Sequence, residues 1–452
     1  MTTPGRSSDQ FCTWLPDPVS IGILATAFPS DLVDSVIDQA GVRERRYRTL
    51  PARFMVYYVL ALVMFAPKGY LEVMALLSHG LNWLRDEAPP ERTATVPAIA
   101  KARSRLGVEP LVLLFDRVCG PLADQVPGVS TSSPGATTSA PGNVAISATG
   151  RAPGGSGGSS PRASSGTVWR GLRMVSVEEV SFELPDTAEN TAAFGGLTAA
   201  ACAGGAGRGG QARARLVVLG ESRSGALLAA ALGPAAHPGT PLAPRLMPHL
   251  DETTLLLADK RFPVEAIWHD ATSRGTQLVW LAAAPATLPV SRVLADGTCL
   301  TELPETWSRD GRGAEVRMIE CESCTVSGRP TGTTFTLLTT LADPVQAPAE
   351  ELVAAYTNRW RGRMITDSLT AGHEGPANSL RSRSPDMVRQ EIWATLCVYQ
   401  SVRRLIWQAS NTLRMHADPP RLSRRIRIHR RADIALPRQR AELLAHDAAQ
   451  PA

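Results

Sequence analysis

The sequence lacks the devices that would place it in several common classes. Its longest apolar run, Phe54–Ala66 (FMVYYVLALVMFA), is interior and too short to cross a bilayer, so it reads as a buried helix and not as an anchor or leader. The seven cysteines are scattered and odd in number, which argues against a disulfide framework and for a reducing compartment. Cys321 and Cys324 have the spacing of half a zinc site, but no second Cys or His pair lies at a fitting distance, and a chance pair at a strand end is the plainer reading. There is no Gly-x-x-x-x-Gly-Lys-Ser/Thr phosphate loop, and no Gly-x-Ser-x-Gly in a strand-turn-helix setting. Nucleotide-driven chemistry and serine hydrolysis are therefore unsupported.

What is present is a chain of 452 residues, 44% hydrophobic and 20% charged, which can bury real cores and points to two or three domains. A soluble protein and a cytoplasmic, nucleoid-associated location are expected. The net charge of +5 is a mild basic excess that decides nothing by itself. Its distribution says more, because Arg421, Arg424, Arg425, Arg427, Arg430 and Arg431 crowd one stretch beside His429. That stretch is either a solvated tail or a phosphate contact.

Apolar periodicity predicts five helices up to about residue 123: one running to about Ala40, then Pro51–Phe65, Gly69–Leu84, Pro97–Leu106 and Pro110–Leu122. Pro51 is expected in the first turn of its helix. Residues 124–167 turn to Ser, Thr, Gly, Pro and Ala, a composition that cannot bury enough apolar surface to order its backbone, and read as a disordered linker. Strands are expected at Arg173–Leu184, Arg215–Leu219, Thr253–Ala258, Leu278–Ala282, Val290–Val293, Glu315–Glu320 and Thr334–Thr339, with a loop at Gly195–Gly210. Leu227–Leu232 has helical spacing, and Ala349 to about Ala409 is helical again. The order predicts an all-α domain at 11–123, an α/β domain at 168–410 with a β-rich insertion at about 275–345, and a basic tail at 411–452.

The pivotal segment is Leu255-Leu256-Leu257-Ala258-Asp259-Lys260-Arg261-Phe262. A buried apolar strand ending in a carboxylate delivers a rigidly held acid to a sheet edge, where metal and substrate can reach it. Alone it is weak, since an Asp after a strand is more commonly a turn-former or helix cap. Other pieces accompany it in order: FCTWLPDPVSIGILATAFP, RERRYRTLPARFMVYYVLALVMF, WRGLRMVSVEEVSFELPDTAENTAAFG, LLTTLADP, Tyr356-Thr357-Asn358-Arg359-Trp360, and LRSRSPDMVRQEIWATLCVYQSVRRLI. Together they make the chain resemble the insertion-sequence DDE transposases of the "four" group over most of residues 11–410.

The resemblance implies a ribonuclease-H-like mixed sheet core with a β-rich insertion, preceded by a helical domain. It also implies cut-and-paste transposition at terminal inverted repeats of double-stranded DNA, into a target DNA, by a dimer on paired ends. The family's chemistry sets three carboxylates around two divalent cations, Mg²⁺ or Mn²⁺, at the scissile phosphate. Carried over, the first acid is Glu178, one methylene longer than the family's Asp and followed by Glu179 in place of Gly; the second is Asp259. After Asp259 the family's Arg-Gly-Phe has become Lys260-Arg261-Phe262. In the third motif Tyr356, Arg359 and Trp360 are kept, but the metal-binding Glu is Arg363 and the following Lys is Thr370.

A guanidinium cannot ligate a divalent cation, and at about 4 Å with an effective dielectric near 20 it repels each unit of positive charge by roughly 4 kcal/mol. Asp367, one helical turn beyond Arg363, either substitutes as ligand or pairs with it. Lys260, Arg359 and Arg381 are the expected DNA contacts, with a solvated loop as the alternative for Arg381 and Arg383. His373 is a surface histidine or a phosphate contact. The altered third position also admits a rival reading: a catalytically dead DNA-binding remnant, or a repressor that occupies the repeats.

Overall fold

The computed structural model describes residues 17–83, 94–122, 168–195, 212–235, 242–282, 288–304, 313–325, 330–358, 380–412 and 424–429, less positions 47, 67, 261 and 263, with Ile365 and Leu369 in addition. The expected linker at 124–167 lies outside them, as does nearly all of the Gly195–Gly210 break. No helix among the described residues is long and apolar enough to cross a membrane.

The chain opens with α1 (Asp17–Ala27), α2 (Ser30–Gln39), α3 (Ala52–Met64), α4 (Tyr70–Trp83), α5 (Val96–Leu106) and α6 (Glu109–Val118). The single helix expected up to Ala40 is divided at Phe28–Pro29, where Pro29 takes an extended ψ of 150° and stands at the N-cap of α2. A proline ring disfavours helical geometry in the residue before it, and the periodicity continues across the break only because both helices turn an apolar face to one core. Pro51 likewise lies one residue outside its helix, as the extended N-cap of α3.

The strands are β1 (Val168–Trp169), β2 (Leu172–Glu183), β3 (Arg213–Glu221), β4 (Leu227–Pro234), β5 (Thr254–Ala258), β6 (Gln277–Leu281), β7 (Val290–Val293), β8 (Cys299–Glu302), β9 (Glu315–Thr325), β10 (Pro330–Thr339) and β11 (Arg424–His429). They form one sheet in the order β4-β3-β2-β5-β6-β10-β9-β8-β7, with β1 on β2 and β11 on β9. β2, β3 and β4 are antiparallel, while β5 and β6 run parallel to β2. A three-stranded antiparallel meander extended from its first strand by two parallel strands is the ribonuclease-H-like arrangement.

Three expectations change. Leu227–Leu232 is strand β4, whose residues alternate buried and half-buried; the high helix propensity of Leu and Ala is overridden by pairing with β3. β6, expected within the insertion, is the fifth strand of the core sheet, paired parallel with β5. Part of the expected basic tail is a strand, with Arg427 in register with Glu322 and His429 with Glu320. That acidic register was not visible from the arginine cluster alone.

Helices cover both faces. On one face, α8 (Val264–Thr272) and a 3₁₀ turn at Ala243–His249 pack on Val175, Val177, Leu256 and Ala258. On the other, α9 (Ala349–Asn358) lies over Leu255, Leu257 and Val279. Beside it α7 (Ala188–Phe194) and α10 (Pro385–Thr412) share one core with the N-terminal helices and with Val180, Phe182, Leu216 and Val218 of the sheet. α10 therefore joins the N-terminal helices to the sheet.

Its start is fastened by buried polar groups. Arg103 of α5, 2% exposed, donates to Gln390 Oε1, Ser382 Oγ and the Met387 carbonyl, and Gln390 returns bonds to the Arg103 and Gly107 carbonyls. Glu391 accepts from the backbone N–H groups of Arg381 and Ser382 and from Ser382 Oγ. Burial lowers the Arg103 pKa, and the nearby Glu391 opposes that shift. Removing one member of such a network strands its partners away from water. Arg103→Ala is expected to cost about 3 kcal/mol of unfolding free energy, read from the urea midpoint, whereas Arg117→Ala on the surface of α6 shifts it by about 0.5 kcal/mol or less.

Candidate active site

Glu178 lies in the middle of β2, 4% exposed, opposite Val218 of β3. Along the parallel pair β2 and β5 each partner lies 81 positions further on, from Arg173 with Thr254 to Ser176 with Leu257. The same offset carried two residues past the last pair sets Glu178 level with Asp259, the residue that follows β5. Adjacent strands are about 4.8 Å apart, and residues level with each other share a sheet face. By the alternation of side chains, that face is the one of Met174 and Val180 on β2 and of Leu255 and Leu257 on β5. Extended in this way, the register puts both acids on the face where the core under α9 borders the core under α10. Asp259 is half-buried and Lys260 exposed.

The head of the third motif lies on the same face. Its Tyr356, on α9, is buried with Leu352 and Val353 against Leu255 and Leu257. Ile365, further along, packs in the neighbouring core so closely over β3 that a β-carbon at Gly220 would collide with its Cδ1. Gly220 is in register with Ser176, two residues before Glu178. Here glycine is needed for close approach. Arg359, Trp360, Arg363, Asp367, Thr370 and His373 lie outside the described residues. Among the described residues no three of His, Cys, Asp and Glu gather into a metal-holding group.

Arg381, expected to contact DNA, is half-buried. Its guanidinium donates to the Leu62 carbonyl in the last turn of α3 at 2.7 Å and to the Lys68 carbonyl at 2.5 Å, and it lies 5.3 Å from the centre of the Tyr70 ring. That is a helix C-terminal cap, which satisfies carbonyls that have no partner within the helix. Arg383 is exposed, its carbonyl accepting from Thr187 Oγ1 at 2.9 Å. Cys321 is buried in the sheet and its thiol is pushed up to about 12 by that burial, which suits a core position.

One contributor was missed in the sequence. The Trp169-Arg170-Gly171-Leu172 segment is a two-residue hairpin turn with φ of 48° at Arg170 and 87° at Gly171, the positive values that such turns require. It presents Arg170 as a fork to Glu351 at the head of α9, both bonds 2.9 Å, while Trp169 Nε1 donates to the same carboxylate at 3.0 Å. The clasp ties the strand of the first acid to the helix of the third motif. A Trp-Arg-Gly run before an apolar strand signals the turn, but nothing in the sequence marks Glu351 as its partner.

Residues 18–116, spanning α1 to α6, match the family described as Insertion element 4 transposase N-terminal. The chain is 24% identical over 385 residues to transposase InsG for insertion sequence element IS4 of Escherichia coli (strain K12), an alignment covering 82% of this chain and 74% of that protein. A solved piggyBac transposase synaptic complex with hairpin DNA overlaps 92% of this chain and 86% of its own at 9% identity, with a TM-score of 0.31, too low to carry any argument. The family match and the InsG relative support an IS4-family transposase, in agreement with the resemblance read from the sequence.

The Arg170 fork holds the Glu351 carboxyl below the usual carboxylate range. A depressed carboxylate contributes stability that is present above its unfolded pKa of about 4.3 and is lost as pH falls through the lower folded value. Thermal midpoints measured between pH 2 and pH 6 are expected to fall more steeply in acid for the natural chain than for Glu351→Gln.

Proposed function

We propose that this protein is an insertion-sequence transposase whose strand-transfer site is assembled on the β2–β5 face and is impaired in catalysis. The observation that supports the reading is the β2–β5 register, whose pairs run to Ser176 with Leu257, two residues before Glu178 and Asp259, on the face where Tyr356 is buried. In this reading the helices at 11–123 and the α/β part at 168–410 are the two folded domains. The protein works in the cytoplasm on double-stranded DNA, holding terminal inverted repeats as a dimer on paired ends.

The donor set does not fit a pair of divalent cations. Glu178 and Asp259 offer the hard oxygens that Mg²⁺ or Mn²⁺ takes, but the third position contributes the guanidinium of Arg363. Two carboxylates and a cation hold one metal weakly at best, and Asp367 either completes the set or neutralises Arg363. Lys260, Arg359 and Arg381 are the proposed DNA contacts, Arg381 being half-buried and also bonded to the Leu62 and Lys68 carbonyls.

A second reading, a DNA-binding remnant or repressor, is favoured by one observation: described residues near Glu178 and Asp259 keep their burial. Met174, Val180, Leu255, Leu257, Tyr356 and Ile365 are all buried. A chain that has lost its chemistry yet keeps its packing can still occupy the repeats.

Excision of a marker flanked by the element's own terminal repeats tests both. The natural chain is expected to excise at most about 1% as well as the variant carrying Arg363→Glu with Glu178→Asp, since an ångström of ligand misplacement costs about 100-fold. Repeat binding without excision by both chains would favour the remnant. Excision by the natural chain that vanishes with Asp367→Ala would overturn the proposed impairment.

A further inference from the structure

We propose that the loop between α2 and α3, with the exposed side of α5, is a phosphate-binding surface for double-stranded DNA. This rests on the reading that the chain acts on DNA, and it assigns where part of the duplex backbone is held. The segment Gly41–Arg53 carries five arginines and one acid, Glu44, in a protein whose net charge is only +5. The ion pairs on the page neutralise part of that charge. Arg43 pairs with Asp38 and lies near Asp34, and Arg53 pairs with Asp34.

Glu44 is turned inward. Its side chain is 14% exposed, it accepts from the Ala52 N–H at 2.9 Å at the start of α3, and it stands 3.5 Å from Arg105 Nη2. The loop's one acid is thus taken up in starting a helix and facing α5, and it leaves Arg45, Arg46 and Arg48 uncompensated. All three are exposed, with no ion pair or hydrogen bond among the described residues. Arg105 donates to the Leu50 carbonyl at 2.6 Å, fastening α5 to the loop, and Lys101, one turn earlier on the same side of α5, is exposed as well.

Cations at i and i+4 repel each other, and three more arginines in an adjoining loop add to that field. Within the chain this arrangement is only a cost. A polyanion offsets it, and the regularly spaced phosphates of a duplex are the polyanion this protein is proposed to handle. Exposed cations on a loop contact the phosphates of a duplex and carry no sequence information, so the surface holds the backbone.

The experiment is the salt dependence of binding to a labelled duplex of unrelated sequence, with the full chain, between 50 and 200 mM NaCl. Each phosphate neutralised contributes about 0.9 to the slope of log K against log salt, so Arg45→Gln, Arg46→Gln and Arg48→Gln together are expected to reduce the slope by about 2.7. Over that fourfold salt range the loss of affinity should shrink by about 40-fold. The matching triple Lys variant is expected to keep the natural slope, because point charges suffice for phosphate. Thermal midpoints equal to that of the natural chain establish that both variants fold. A Gln variant with the natural slope overturns the surface assignment alone; a natural chain that binds no duplex overturns it together with the DNA-acting reading.

Discussion

The parallel pairing of β2 with β5 is the constraint on which the rest of the structure depends. Parallel neighbours cannot be joined by a tight turn, so the chain between them must leave the sheet and return. It does so by adding β3 and β4 on the far side of β2 and descending through the 3₁₀ turn at Ala243–His249. That excursion fixes which edge is antiparallel and which is parallel. It also means that any alignment of Glu178, in the middle of a long strand, with Asp259, just past a short one, depends on that register. A slip of one residue would turn one acid to the opposite face.

Around that pair the protein uses polar groups sparingly and mostly to join elements remote in sequence. The Trp169–Arg170 turn reaches α9 through Glu351, Arg381 caps α3, and Arg103 seats the head of α10. At the far end of the sheet Arg403 donates to the Ser224 carbonyl and Tyr399 to that of Gly225, so α10 also grips the β3–β4 hairpin. Each of these groups acts at a junction between layers. The layers themselves are held by apolar burial, in three clusters that meet at the sheet.

Much of this was legible in the sequence. The apolar runs that became β2, β5 and β6, the helices of residues 17–118 and the carboxylate after Ala258 were all readable, because period and turn chemistry are local properties. β4 was misread for the same reason: Leu and Ala favour a helix locally, and only the presence of β3 makes the segment a strand. The short β8 was missed, its four residues giving too little alternation to count. Arg381 and Arg103 show the deeper limit. An arginine in a polar stretch looks solvent-bound until the carbonyls and carboxylates that will surround it, some 280 to 320 residues away in the chain, are placed. The register of β2 on β5 is of the same kind, since it emerges from the whole sheet.

The shared core of the first helices and α10 carries a consequence for synthesis. Val56, Leu60, Leu111 and Leu114 leave the ribosome well before Val388, Ile392 and Leu396, which complete their cluster and follow 274 to 340 residues later. Contacts of that sequence separation form slowly, and a domain awaiting its last helix exposes apolar surface meanwhile. The nascent chain therefore passes through a long interval as an incomplete bundle beside a growing sheet, and a truncation anywhere before residue 385 would free that surface for good. A transcript cut short would thus yield a sticky, chaperone-dependent fragment and not a smaller working protein.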